Sequence, residues 1–318
     1  MKVIEMKNVN KVYGRHKVLH DVSFSVEKGH IVGLIGPNGA GKTTIMRSVG
    51  GLTHPSSGTI RLFEHEENLD HYRDRISFMI ENPIIDGSLT ARENMEYIRL
   101  VRGVADKARC ETLLKYVGLA DTGKKAAKHF SLGMKQRLGI GMALLPDPEV
   151  LVLDEPVNGL DPEGIVEVRH ILKELCEKEG KTIIISSHLL SELSELCTDY
   201  IIIDHGRIVD SLSKEELMMH SRSYISIRTD RTAETVAALE QLLKVRDYKV
   251  MEDDELRLYE GLEDVGAVSR AITDAGFTIL RFALTSDSLE EYYLSRVSHD
   301  RAEPETDSSI GNMFGRRA

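Results

Sequence analysis

An α/β fold with a mostly parallel sheet, followed by a smaller α+β domain, is the fold class this chain predicts. Three observations carry it. Apolar runs such as Val32-Gly33-Leu34-Ile35, Leu151-Val152-Leu153 and Ile183-Ile184-Ile185 have the length and continuity of buried strands, and helical patterns alternate with them. The 318 residues exceed one compact domain. From Ser221 onward the pattern changes to β-α-β-β-α-β, the ferredoxin-like order.

Residues 1–75 alternate strands with turns. Met1-Lys2-Val3-Ile4-Glu5 has an early acid and only a short apolar stretch, so it reads as a first strand rather than a signal peptide. The strand at 32–35 runs into Gly36-Pro37-Asn38-Gly39-Ala40-Gly41-Lys42-Thr43-Thr44, which completes the phosphate-loop pattern G-x-x-x-x-G-K-[ST]. The glycines let successive N–H groups point inward around an anion. A helix opening at Lys42 adds its positive end. Lys42 reaches the β- and γ-phosphates of a nucleoside triphosphate, and the Thr43 hydroxyl is suited to Mg²⁺. A nucleoside triphosphate and Mg²⁺ are therefore the expected ligands.

From 82 to 147 the chain is mostly helical, with amphipathic stretches at Glu93–Val101 and Ala108–Val117. Near its end, Phe130-Ser131-Leu132-Gly133-Met134-Lys135-Gln136-Arg137 opens a helix. Ser131 is an ordinary N-cap by residue type, and a capped N-terminus also presents N–H groups to a phosphate. Residues 148–215 return to strand–helix alternation. Leu151-Val152-Leu153-Asp154-Glu155-Pro156 is a strand ending in two carboxylates. Asp154 suits a second Mg²⁺ contact, direct or through water. Glu155 is placed to polarise the water that attacks the γ-phosphate. Ile183-Ile184-Ile185-Ser186-Ser187-His188 ends in a histidine that can link the γ-phosphate to Glu155. Taken singly, a strand ending in Asp-Glu is common and a strand-end histidine is often structural. Their order after a phosphate loop favours the catalytic reading.

The smaller domain is expected over 220–298. It reads as a strand at Tyr224–Arg228, a helix at Thr235–Leu243, and a hairpin of 248–251 with 255–259. A helix at Val265–Ala275, a strand at Phe277–Phe282 and a final helix at Ser288–Leu294 follow. No catalytic constellation appears in it. It is a regulatory or dimer-supporting appendage, or an accessory domain without a ligand. The segment 299–318 is polar and mixed in charge, the composition of a disordered tail.

Composition narrows the class. The net charge is −10 and the pI about 5.7, with dispersed lysines and arginines, so no nucleic-acid partner is expected. Cys110, Cys176 and Cys197 form neither a metal-binding spacing nor a disulfide framework, which fits a reducing cytoplasm. No apolar run approaches the ~20 residues that a membrane helix needs.

The segment 130–137 resembles the signature of ABC-transporter ATPases, whose commoner core is Ser-Gly-Gly-Gln. Ser131 and Gly133 match, while Leu132 and Met134 depart. The resemblance covers roughly residues 1–215 and implies a phosphate-loop ATPase of ABC type, with a RecA-like core, an antiparallel β subdomain and a helical subdomain inside a 1–219 domain. It assigns adenine stacking to Tyr13, contact with a partner's ATP to Ser131, Leu132, Gly133 and Met134, and subunit joining to Asp161 in Asn158-Gly159-Leu160-Asp161. His205-Gly206 becomes the tight turn of a late hairpin. Glu81 stands where the family usually has a glutamine that contacts Mg²⁺ and senses the transporter. Ile80-Glu81-Asn82-Pro83 with Leu89-Thr90-Ala91-Arg92-Glu93-Asn94 resembles one branch, exporters conferring resistance to bacitracin and lantibiotic peptides.

In that resemblance two copies pair head to tail over two ATP molecules. The pair drives a separate integral-membrane permease, and the chain is cytoplasmic, held at the inner face of the membrane through it. The alternatives are a non-transport ATPase of the same superfamily and a nucleotide-dependent regulator. A single motif set without a heptad run opposes the first, and Glu155 with His188 opposes the second.

Overall fold

A computed structural model describes residues 1–80, 83–188, 193–220, 223–251, 253–286 and 289–300. They fall into two compact units, Met1–Lys214 with the residues from Arg296 on, and Glu215–Ser295.

The first unit begins with two long antiparallel strands, β1 (Lys2–Tyr13) and β2 (His16–Glu27). The apolar strand β3 (Ile31–Ile35) leads into α1 (Lys42–Val49), and β4 (Ser57–Leu62) pairs with the other edge of β1. The short helix α2 (Leu69–Arg73) precedes β5 (Ile76–Met79). Three helices follow: α3 (Ala91–Val101), α4 (Ala108–Tyr116) and α5 (Leu132–Ala143). Thr90 and Glu93 start α3 with a reciprocal capping box, each side chain bonding the other's backbone N–H. Then come β6 (Val150–Asp154), α6 (Pro162–Glu177), β7 (Thr182–Ser187), β8 (Asp199–Asp204) and β9 (Arg207–Ser213).

The larger sheet has the order β5-β6-β7-β3-β8-β9. Its first five strands are parallel and β9 is antiparallel to β8. Every residue of β3, β6 and β7 is buried, as strands covered on both faces require. The smaller sheet, β2-β1-β4, shares one apolar core with it, in which Ile4, Met6 and Leu62 join Leu34, Val152 and Ile201. The β8–β9 turn uses His205 at φ 43° and Gly206 at φ 76°, the paired left-handed conformations of a two-residue hairpin. These match the expected fold class, a mostly parallel α/β core with antiparallel β and helical additions.

Helix α7 (Lys214–His220) precedes the second unit's sheet. That unit runs β10 (Ser223–Thr229), α8 (Thr232–Leu242), β11 (Tyr248–Val250), β12 (Leu256–Leu258), α9 (Val265–Asp274) and β13 (Ile279–Ser286). The sheet is antiparallel in the order β11-β12-β10-β13. Ile225, Ile227, Leu239, Leu258, Val268 and Ile272 form its core. Three elements depart from the sequence reading, the last helix among them. Helix α8 begins at Thr232, and β13 begins at Ile279 and runs to Ser286. Pairing with β10, from Thr229↔Ile279 to Ser223↔Ser286, sets that register and outweighs the local propensity of Phe277-Thr278. The last helix, α10 (Leu289–Asp300), continues past the expected start of the tail at residue 299, while 301–318 lie outside the described residues.

Candidate functional site

The loop between β3 and α1 is shaped by close approach. A Cβ on Gly36 would stand 2.2 Å from the Ile203 carbonyl oxygen, so β8 leaves room there for glycine alone. The Ala40 N–H donates to the Pro37 carbonyl at 3.1 Å, and Gly206 in the β8–β9 turn donates to the Ala40 carbonyl at 2.9 Å. Gly41, at φ 110°, is the N-cap of α1, whose first turn carries no acidic residue. The positive end of that helix faces an anion without a competing carboxylate.

Lys42 is only 5% exposed. Its ammonium donates to the carbonyls of Gly36 (2.7 Å) and Pro37 (3.2 Å) and lies 3.6 Å from Glu155 Oε1. Burial pulls its pKa below the ordinary lysine value, and the carboxylates of Glu155 and Asp154 act in the opposite direction.

Strand β6 delivers the carboxylates. Asp154 Oδ2 accepts from the Thr43 hydroxyl at 2.8 Å, while Asp154 Oδ1 accepts from Ser186. One residue on, Glu155 turns into the left-handed region at φ 47°. Its Oε2 lies 2.8 Å from His188 Nδ1, at the end of β7. A cleft of about 260 Å³ separates the phosphate loop from Glu155, with Asn38, Gly39, Lys42, Thr43 and Thr44 on its wall. Thr43 and Asp154 offer the hard oxygen donors that Mg²⁺ takes, and a magnesium ion shared with substrate phosphates needs only one or two protein ligands. Among the described residues no three His, Cys, Asp or Glu side chains converge as a metal site. Glu155 is thus held between the Lys42 ammonium and the His188 imidazole.

Sequence reasoning assigned no task to Ser186, which touches both Asp154 and Glu155. The available signal was a hydroxyl where the apolar run Ile183–Ile185 gives way to Ser186-Ser187.

The other motif residues stand elsewhere. Tyr13 ends β1 with its ring exposed, its hydroxyl 3.2 Å from Thr53 Oγ1 and the Lys11 ammonium 4.7 Å above the ring. It does not line the cleft. Ser131 caps α5, its Oγ accepting from the Met134 N–H at 3.2 Å, and Leu132 beside it is exposed. None of Ser131, Leu132, Gly133 or Met134 lines its own chain's cleft. Asp161 caps α6 through the Gly164 N–H at 3.0 Å. Glu81 lies outside the described residues. Phe78, Met79, Ile80, Pro83, Ile98 and Met142, with Ser77 and Arg102, wall a groove of about 160 Å³, and Ile84, also on its wall, is 88% exposed.

A phosphate-loop cassette with paired carboxylates and a strand-end histidine defines a class of nucleotide-hydrolysing proteins, and comparison gives the family. A family model described as ABC transporter matches residues 19–158. The bacitracin transport ATP-binding protein BcrA of Bacillus licheniformis is 37% identical over 93% of this chain and 97% of its own length. The lantibiotic transport ATP-binding protein SrtF of Streptococcus pyogenes is 43% identical over 67% of this chain and 91% of its own. Among solved structures, an ATP-binding subunit of an ABC transporter is 30% identical, with a TM-score of 0.60 over 68% of this chain and 92% of that one. A dimeric ATP-binding cassette holding ADP and Pi is 24% identical, with the same TM-score, 0.60, over 66% of this chain and 98% of that one. The chain belongs to the ATP-binding proteins of ABC transporters. It is a nucleotide-binding ATPase of that family. No helix among the described residues is long and apolar enough to cross a membrane.

Proposed function

We propose that this chain hydrolyses ATP to energise a separate membrane permease that exports an antimicrobial peptide or drug. The observation that carries the reading is a cleft lined by Lys42, Thr43 and Glu155, with Asp154 bonded to Thr43 and His188 bonded to Glu155. The names of the similar proteins, a bacitracin and a lantibiotic transport subunit, support the class of cargo.

Lys42 exchanges its two loop carbonyls for β- and γ-phosphate oxygens. Thr43 and Asp154 hold Mg²⁺, with Glu81 as a further ligand by resemblance. The ion, when bound, neutralises charge on the phosphates. Glu155 takes the proton of the attacking water, and His188 orients the Glu155 carboxylate. Tyr13 stacks on adenine. The exposed N-terminus of α5, from Ser131 to Met134, closes over ATP bound to a second copy, and Asp161 lies at the same seam. Closure excludes water from the γ-phosphate, and hydrolysis loosens the pair. The permease docks on the helical subdomain, at the groove walled by Phe78, Ile80, Pro83 and Met142. The chain thereby sits at the inner face of the membrane. The unit 215–295 acts as an accessory domain without a ligand.

Co-expression with a candidate membrane permease tests the reading. Cells carrying both should survive bacitracin-type peptides at concentrations that stop cells carrying either alone, and Glu155→Gln should remove the protection. Equal survival with the Gln variant would exclude ATP-driven export.

A further inference from the structure

Strand β6 ends at Asp154, so the Glu155 N–H has left the ladder. It donates instead to Ser186 Oγ at 2.9 Å. The same hydroxyl donates to Asp154 Oδ1. Ser186 is 0% exposed and sits beside Asp154 in the parallel register of β6 and β7. One hydroxyl thus spends its donor on the first carboxylate residue and an acceptor lone pair on the second. Two facts make that arrangement consequential. Glu155 holds φ 47°, a region that costs a non-glycine residue energy, and Pro156 after it further disfavours a helical backbone there. The conformation persists only if something ties it down. Asp154 meanwhile has its other oxygen on Thr43.

We propose that Ser186 is a positioning residue of the hydrolytic site. Its hydroxyl pins the Glu155 backbone in the left-handed turn, which aims the carboxylate at His188. It also fixes the rotation of the Asp154 carboxylate, which leaves Oδ2 for Thr43. The inference rests on the role given to Glu155 above. Ser186 touches neither nucleotide nor water in this role. It acts through the two residues it holds.

Ser186→Thr and Ser186→Val form the test, because they share a shape and differ in the hydroxyl. Both suit a strand. The measurements are steady-state kcat and KM for ATP, and affinity for a non-hydrolysable ATP analogue. The Thr variant should retain turnover. The Val variant should lose kcat by about tenfold or more relative to it, the scale of an unsatisfied buried donor, while KM and analogue affinity stay within about twofold. Equal kcat in the two variants, or analogue affinity falling in step with kcat, would overturn the proposal. If the added methyl unfolds both proteins, Ser186→Ala adds no bulk. Its kcat should fall without a matching loss of analogue affinity, and wild-type kcat would overturn the proposal. Glu155→Gln run alongside separates the two readings. Should that variant turn over normally, the assignment of Glu155 is at fault. Should it be dead while Thr and Val variants match, only the role of Ser186 falls.

Discussion

Glu155 lies 3.6 Å from the Lys42 ammonium, so the cleft is closed on itself by charge. In the proposed mechanism an incoming triphosphate replaces Glu155 as the partner of Lys42. Glu155→Gln should therefore bind ATP at least as tightly as wild type, because Lys42 loses a competitor and Thr43 is untouched. Turnover should drop by roughly 10²–10⁴-fold, the usual consequence of losing a general base. Calorimetry and an ATPase assay on one preparation check both halves, and turnover within a few-fold of wild type would remove Glu155 from the mechanism. Lys42→Ala should do the reverse. It removes a charged donor, at about 1.5–3 kcal/mol of nucleotide affinity. Unchanged ATP affinity would contradict the assignment of the phosphate loop.

At the scale of elements, the parallel strands were the most legible part of the chain. Runs such as 32–35 and 183–185 are apolar at every position, and burial on both faces demands that. Of the residues singled out by the motifs on those strand ends, Glu155 lines the cleft, and Asp154 and His188 bond to cleft residues Thr43 and Glu155. What was not legible has a common cause. Ser186 gains its contacts from the register of β6 against β7, and β13 takes its bounds from β10, so both depend on chain distant in sequence. The loop itself yields a stability prediction. At Gly36 a Cβ would meet the Ile203 carbonyl at 2.2 Å, whereas at Gly39, with φ 84°, nothing lies within 4 Å. Gly36→Ala has to displace β8 or the loop and should lower both the melting temperature and ATP affinity. Gly39→Ala has only backbone strain to absorb, about 1–2 kcal/mol. Thermal melts showing Gly39→Ala to be the worse of the pair would contradict this packing.

For the whole molecule, the decisive feature is that Ser131–Met134 do not line the cleft of their own chain. If each site is completed by the α5 N-terminus of a second copy, the two halves of a site can be damaged separately. In a Lys42→Ala homodimer both sites lack the lysine. In a Ser131→Arg homodimer both sites carry a bulky cation at the seam and lose the α5 cap. Each protein alone should be nearly inactive. A mixed pair is different under two-fold symmetry. One of its sites joins the intact phosphate loop of the Ser131→Arg chain to the intact α5 of the Lys42→Ala chain, and the other site collects both lesions. Mixing the two purified variants should therefore restore a clear fraction of wild-type ATPase activity. The gain should saturate near equal amounts and vanish if the Ser131→Arg chain also carries Glu155→Gln. That last substitution kills the one site that mixing repairs. Activity that never exceeds the sum of the separate proteins would show that each chain hydrolyses ATP alone, and the paired mechanism would have to be abandoned.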